Sequence, residues 1–215
     1  MYENQSWDNI YHFYHYPKNS FDCLIDIGAS VGQVTIPFLE RNPDAVVLCV
    51  EPCIHNISVL KDRLKKIEKD AIILEGALGT GEILHFTRYG GVSKNYTSED
   101  GNGELIASYT LKEIMKLVDH ISGTKMLTID VEGGESVLLN DQESEECLSS
   151  IDHIGIEVHY PNGSKRYQHF SSNPTLNEYY LWIHTKFSDS HYIFFNNLCP
   201  TSGLGIFIMK KKEKQ

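Results

Sequence analysis

Apolar residues along this chain come alternately in short dense runs and in longer spaced ones. Cys23 to Ile27 and Ala45 to Val50 are dense runs of strand length, broken only by Asp26. A strand buried on both faces reads this way. Between them the spacing predicts a helix over about Val31–Glu40, which Pro37 bends unless it falls in the first turn, where a missing N–H matters less. Ile57, Leu60, Leu64 and Ile67 then recur on one helical face with Lys and Asp outside it, and Ala71–Leu74 is a third short run. The order β-α-β-α-β implies parallel strands, because each crossover needs a helix.

Downstream, Glu82–Arg88 and Glu104–Tyr109 read as a strand hairpin around a polar, glycine-containing loop from Tyr89 to Gly103. Thr110-Leu111-Lys112-Glu113 has the spacing of a capping box and starts a helix. Met126–Val131 and Ile151–Val158 are expected as fourth and fifth parallel strands. A helix near Thr175–Phe187 follows, then Tyr192–Asn196 and Gly205–Met209 as an antiparallel ending. Trp7, Ile10, Tyr11 and Tyr14 at helical spacing predict an amphipathic opening helix. The expectation is a single α/β domain over residues 1–215, with a helical segment up to residue 20 and a frayed basic tail from Lys210.

Composition narrows the field. A chain of 215 residues suits one compact core. A net charge of -10 offers no phosphate-neutralising surface, so nucleic acid is not expected as a partner. No run of about 18 apolar residues is present to span a bilayer. The N-terminus lacks a basic and apolar leader, so a cytoplasmic location is expected if the chain begins at its native start. Five cysteines, odd in number and without paired metal spacing, fit no zinc site, and Cys49 and Cys53 are expected as buried thiols. The triplets at Asn56, Asn95 and Asn162 fit the glycosylation pattern but are discounted as chance matches. Oligomeric state is not readable.

The candidate chemistry lies in two places. Asp26-Ile27-Gly28-Ala29-Ser30-Val31-Gly32 joins a strand to a helix. Gly28 and Gly32 allow a tight turn and close approach of a ligand, and the helix start offers unpaired N–H groups. The glycine spacing is not that of a dinucleotide fingerprint, so the turn suits a small polar amino-acid end, with Asp26 accepting from an ammonium. Glu51 ends the second strand about twenty residues on, where doubly wound folds present a carboxylate to ribose hydroxyls. The second place is Asp130-Val131-Glu132-Gly133-Gly134-Glu135. Asp130 and Glu132 share a face if the strand continues, as do Glu157 and His159 on the next strand, so four polar groups would meet at the carboxyl edge of the sheet. Glu135 reads instead as a helix N-terminal cap. Carboxylates and histidine suit a divalent ion, but no ligand-dense motif supports one, and no metal is expected.

Together these segments resemble the FkbM family of O-methyltransferases. The matching pieces are DIGASVG at Asp26–Gly32, VEP at Val50–Pro52, EGALG at Glu75–Gly79, YTLKEI at Tyr109–Ile114, TIDVEGGE at Thr128–Glu135 and IGIEVH at Ile154–His159, in family order. The resemblance implies a Rossmann-like class I methyltransferase fold, a sheet of about seven strands with an antiparallel end, S-adenosylmethionine as donor and a hydroxyl acceptor on a small molecule or glycan. Ser30 stands where the family commonly has Asn, Thr128 where Lys often stands, and Lys112 where an acid is usual. On this reading Gly28, Ser30 and Gly32 shape the amino-acid end of the cofactor site, Asp130 also touches it, Glu51 binds ribose and the Ala77 backbone approaches adenine. Asp130, Glu132 and His159 are the candidate catalytic residues on the acceptor side, with Tyr89–Gly103 as a lid. An ordinary imidazole titrates near ~6.5, so a His159 base is expected to raise the rate with pH through that region. The rival readings are a catalytically degenerate binding module, for which the departures speak, and a nicotinamide dehydrogenase, against which the glycine spacing speaks.

Overall fold

The computed structural model describes residues 11–87, 96–98, 103–139, 141–161, 173–199 and 203–213. Strands β1 (Cys23–Ile27), β2 (Val46–Glu51) and β3 (Ile72–Glu75) alternate with helices α1 (Thr35–Arg41) and α2 (Ile54–Lys66). Then come β4 (Ala77–Leu78), β5 (Ile83–Thr87), β6 (Tyr96–Ser98), β7 (Glu104–Tyr109) and α3 (Leu111–Lys116). The chain continues through β8 (Lys125–Ile129), α4 (Gln142–Ser150), β9 (His153–His159), α5 (Leu176–Phe187), β10 (His191–Cys199) and β11 (Leu204–Lys211). Two short 3-10 helices cover Phe13–His15 and Gly134–Leu138.

The main sheet has seven strands in the order β10-β11-β9-β8-β1-β2-β3. From β9 to β3 every pairing is parallel, and β11 runs antiparallel to both β9 and β10. All five residues of β1 and all seven of β9 are buried, as central strands covered on both faces require. Alternation along β1 sends Cys23, Ile25 and Ile27 to one core with Ile114, Leu148, Ile183 and Phe187 from α3, α4 and α5. Leu24 goes to the other core, with Phe38, Leu39, Leu60 and Leu64 from α1 and α2 and with Tyr11 and Phe13. The layers are therefore α/β/α, the Rossmann-like architecture expected. A smaller sheet, β4-β7-β5-β6, follows β3. The chain leaves β1 toward β2 and β3 on one side and returns as β8 and β9 on the other. The order thus reverses between β1 and β8, and ligands of open α/β sheets bind at the carboxyl ends beside such a reversal.

Several expectations need correction. α1 starts at Thr35, which puts Pro37 in its first turn, where it costs no internal hydrogen bond. The loop expected over Tyr89–Gly103 holds β6, paired antiparallel with β5; the rest of that loop, and with it the proposed lid, lies outside the described residues. The opening helix lies mostly outside them as well, and from Phe13 the chain makes a single 3-10 turn. Lys210 and Lys211 do not fray: they belong to β11, and the Lys211 N–H donates to the Asp152 carbonyl at 2.8 Å. β8 ends at Ile129, so Asp130 and Glu132 are not on a strand. Among the described residues no helix is long and apolar enough to cross a membrane.

Candidate active site

The turn after β1 sits at the centre of the switch point. The N–H groups of Gly28 and Ala29 both donate to the Val50 carbonyl, at 2.9 and 3.0 Å, which folds the turn against the end of β2. Gly28 has φ +88°, and a Cβ there would lie 1.8 Å from the Asp130 carbonyl oxygen. The glycine is thus required by the contact of two protein turns, one after β1 and one after β8, before any ligand is considered. Ser30 also takes a left-handed φ of 50°, which turns its N–H onto the Glu51 carboxylate at 2.9 Å.

Glu51 is 4 % exposed. Its other oxygen accepts from the Cys53 N–H at 2.9 Å and the Asn56 side-chain amide at 3.1 Å. One carboxylate thus joins the β1 turn to the N-terminus of α2, where negative charge is favourable. Burial raises its pKa, and the three hydrogen bonds oppose that rise. Asn56 is itself 2 % exposed, which leaves no room for a glycan there. Cys49 and Cys53 are buried free thiols, as expected. Ala77 follows β3 at the same edge, buried and paired with Ser108, and the preceding Gly76 N–H donates to the Glu51 carbonyl at 3.2 Å.

Asp26 is not brought to the open edge. It points to the α1 face, and its two oxygens accept from the Thr35 hydroxyl at 2.6 Å and the Thr128 hydroxyl at 2.8 Å. Burial raises its pKa and both hydroxyls lower it. Thr128, noted above only as a departure from a family pattern, therefore satisfies a buried carboxylate beneath the turn. Lys112, the other such departure, makes a surface ion pair with Glu143 at 2.6 Å.

The acidic groups do converge. Asp130 follows β8 directly, and a left-handed residue at Glu132 (φ 51°) folds that side chain back toward it. One donor atom from each of Asp130, Glu132 and His159 lies within 4.8 Å of the other two. His159 Nε2 is 3.4 Å from Glu132 Oε2 and 3.9 Å from Glu157 Oε1. Its Nδ1 meets Glu135 Oε1 at 3.1 Å, and the same oxygen accepts the His159 backbone N–H. The second Glu135 oxygen accepts the Gly133 N–H at 2.9 Å. Glu135 does cap the 3-10 helix, as the sequence suggested, but it is fully buried and also fixes the histidine ring. Sequence reasoning missed that second role. The one signal was an acid in the first turn of a predicted helix, which ordinarily faces solvent. Asn173 ties the two turns by donating to the carbonyls of His159 and Gly133 at 2.9 and 3.3 Å.

Four carboxylates thus surround one imidazole. Burial raises the pKa of Glu132 to about 7 and of Asp130 to about 6; neighbouring carboxylates add to the rise and His159 opposes it. Glu157 is pushed well above its usual range, by burial first and then by Asp130. For His159 burial alone would lower the value, but the charges of Glu135, Glu132 and Glu157 overcome it and hold the ring's proton to about pH 10. The expectation of an ordinary imidazole titrating near neutrality is not met.

No family model and no curated protein matches the sequence. Solved structures do match the fold. A methyltransferase FkbM from Methylobacillus flagellatus KT aligns at TM-score 0.56 with 16 % identity, over 88 % of this chain and 44 % of that one. The chain therefore spans less than half of that protein. An rRNA methylase from Streptococcus thermophilus aligns at TM-score 0.55 with 6 % identity, over 98 % and 99 % of the two chains. The Methanococcus jannaschii fibrillarin pre-rRNA processing protein aligns at 0.52 with 11 % identity, over 93 % and 70 %. With RNA-related proteins among these neighbours, the expectation that nucleic acid is no partner gains no support from the fold. At these identities the likeness establishes architecture, and the architecture is that of the class I methyltransferases.

Proposed function

We propose that the chain is an S-adenosylmethionine-dependent methyltransferase acting as one catalytic domain in the cytoplasm, with a hydroxyl acceptor on a small molecule or glycan. The observation that carries this reading is the junction at the switch point. There a left-handed turn at Gly28–Gly32 meets the Glu51 carboxylate through Ser30, directly beside the Asp130 turn. The spacing suits an amino-acid end held by the turn and a ribose held by Glu51, which would exchange the Ser30 and Asn56 donors for sugar hydroxyls.

The donor supplies an activated methyl group on a sulfonium. When bound, that group would be transferred in line from sulfur to the acceptor oxygen, so the protein chiefly has to align the two partners. Gly28, Ser30 and Gly32 shape the amino-acid end, Glu51 holds the ribose, and the Ala77 backbone borders the base. Asp26 acts from beneath by fixing the turn through Thr35 and Thr128. Asp130 stands where donor and acceptor meet. Glu132 and His159 line the acceptor side, and the acceptor's proton passes to a carboxylate of this cluster. An acidic chain of net charge -10 favours a neutral or cationic acceptor over RNA.

Calorimetry with S-adenosylmethionine, S-adenosylhomocysteine and NAD in parallel tests the assignment. The first two are expected to bind at one site and NAD not to bind. Binding of NAD alone would move the chain to the dehydrogenases.

A further inference from the structure

Two buried oxygens in the acidic cluster are left unanswered. Glu157 is 4 % exposed, yet its Oε2 has no hydrogen-bond partner among the described residues. The buried Oδ1 of Asp130 is in the same state. The Tyr11 hydroxyl is likewise buried without a partner among the described residues, and burial first, then the charges of Asp130 and Glu157, oppose its ionisation. Buried polar atoms are normally satisfied, and carboxylates most of all. Oxygens left open around a single histidine are acceptors still available to a further ligand.

We propose that Asp130, Glu132 and His159 form a divalent-cation site, with Glu157 as a fourth ligand. Four observations carry it. The three donor atoms already lie within 4.8 Å of one another. Ligand bonds of about 2.0–2.2 Å put neighbouring donors roughly 3–3.8 Å apart, so the side chains would draw together as the ion binds. Glu135 holds Nδ1 of His159, which turns Nε2 toward Glu132 and Glu157; a carboxylate behind a ligating histidine is the usual way such a ring is oriented. The Glu132 side chain is 31 % exposed while those of His159 and Glu157 are 3 % and 5 %. The shell is therefore closed behind and open on one side, with positions left for water or an acceptor oxygen. Finally, carboxylate oxygens with one imidazole suit Mn2+ or Zn2+ rather than a soft ion. The ligands come from two strand ends far apart in sequence, which is why no ligand-dense motif announces them.

The site stands without the methyltransferase reading. Its role rests on that reading: beside the turn assigned to the methyl donor, the cation would take the acceptor's oxygen and orient it for transfer.

The test is Mn2+ titration of the cofactor-free full chain, followed by electron paramagnetic resonance and calorimetry, with Zn2+ as competitor. A single Mn2+ per chain is expected to bind below millimolar concentration and to be displaced by Zn2+. Asp130→Asn and Glu132→Gln should each weaken binding by at least about tenfold, the lower end of what loss of a mere outer-shell partner costs. Glu143→Gln, an exposed acid paired with Lys112, should leave it unchanged. Glu132 is partly exposed, so Glu132→Gln keeps the test sound if Asp130→Asn fails to fold. No binding of either ion at millimolar concentration overturns the proposal, and so does binding that survives Glu132→Gln undiminished. A separate titration with S-adenosylhomocysteine keeps the two readings apart: Mn2+ binding without it leaves the cation site and removes the methyltransferase, and the converse removes the cation site alone.

Discussion

Gly28 shows how one residue carries two different arguments. In sequence it reads as a glycine left bare so that a ligand can come close. In the structure its missing Cβ makes room for the Asp130 carbonyl, 1.8 Å from where that carbon would be, and its φ is +88°. A side chain at this position therefore attacks the fold before it attacks binding. Gly28→Ala is expected to destabilise the protein by at least ~1–2 kcal/mol from the left-handed backbone alone, which lowers the melting temperature by roughly 2–8 °C in a chain of this size. An unchanged melting temperature would show that the two turns separate freely. Glu51 shows the reverse. Its spacing from the turn suggested a ribose carboxylate, but its three protein donors were not legible, because two of them belong to turns whose geometry no pattern of residue types reveals.

At the scale of elements, the signals that survived are local. Both capping boxes, Thr110 with Glu113 and Thr175 with Glu178, are present with reciprocal hydrogen bonds; the first was read from four residues. The parallel strands are also in place, each within two residues of expectation. α4 was missed because Gln142–Ser150 buries only Ser144 and Leu148, too few apolar positions for a periodic signal. The alternation inferred for Asp130 and Glu132 failed because β8 stops at Ile129; a left-handed turn brings the two together instead. β9 also anchors the start of the chain through His153. Its Nε2 lies 2.8 Å from the Tyr11 carbonyl, which can only accept, so Nδ1 accepts from the Tyr16 hydroxyl at 3.0 Å. The ring is neutral, and burial lowers its pKa to about 4. Because the folded value lies below the unfolded ~6.5, this clamp is fully present above that pH, weakens as pH falls, and is lost by about pH 4. The contribution at stake is about 3 kcal/mol. His153→Gln should flatten the pH dependence of stability between these limits, measured by urea unfolding. An acid limb as steep as in the wild type would assign it to other groups.

For the whole molecule, the sequence of strands and helices was enough to place a doubly wound sheet and its carboxyl edge, where open α/β sheets generally bind ligands. It was not enough to show the reversal between β1 and β8, since strand order is decided by which faces pack and not by the order of segments. That reversal sets the Gly28 turn, Glu51 and the Asp130–His159 cluster side by side, and the functional reading depends on it. The most direct test is the melting temperature of the wild type and of Glu51→Gln with S-adenosylhomocysteine. At a hundred times the dissociation constant a ligand of the folded state contributes about 2.7 kcal/mol, which corresponds to a rise of roughly 5–10 °C for a chain of this length. The wild type should show that rise, and Glu51→Gln should need at least about tenfold more ligand to match it, as expected for a lost charged hydrogen-bond partner. A folded wild-type protein whose melting temperature does not move at millimolar S-adenosylhomocysteine would contradict the account.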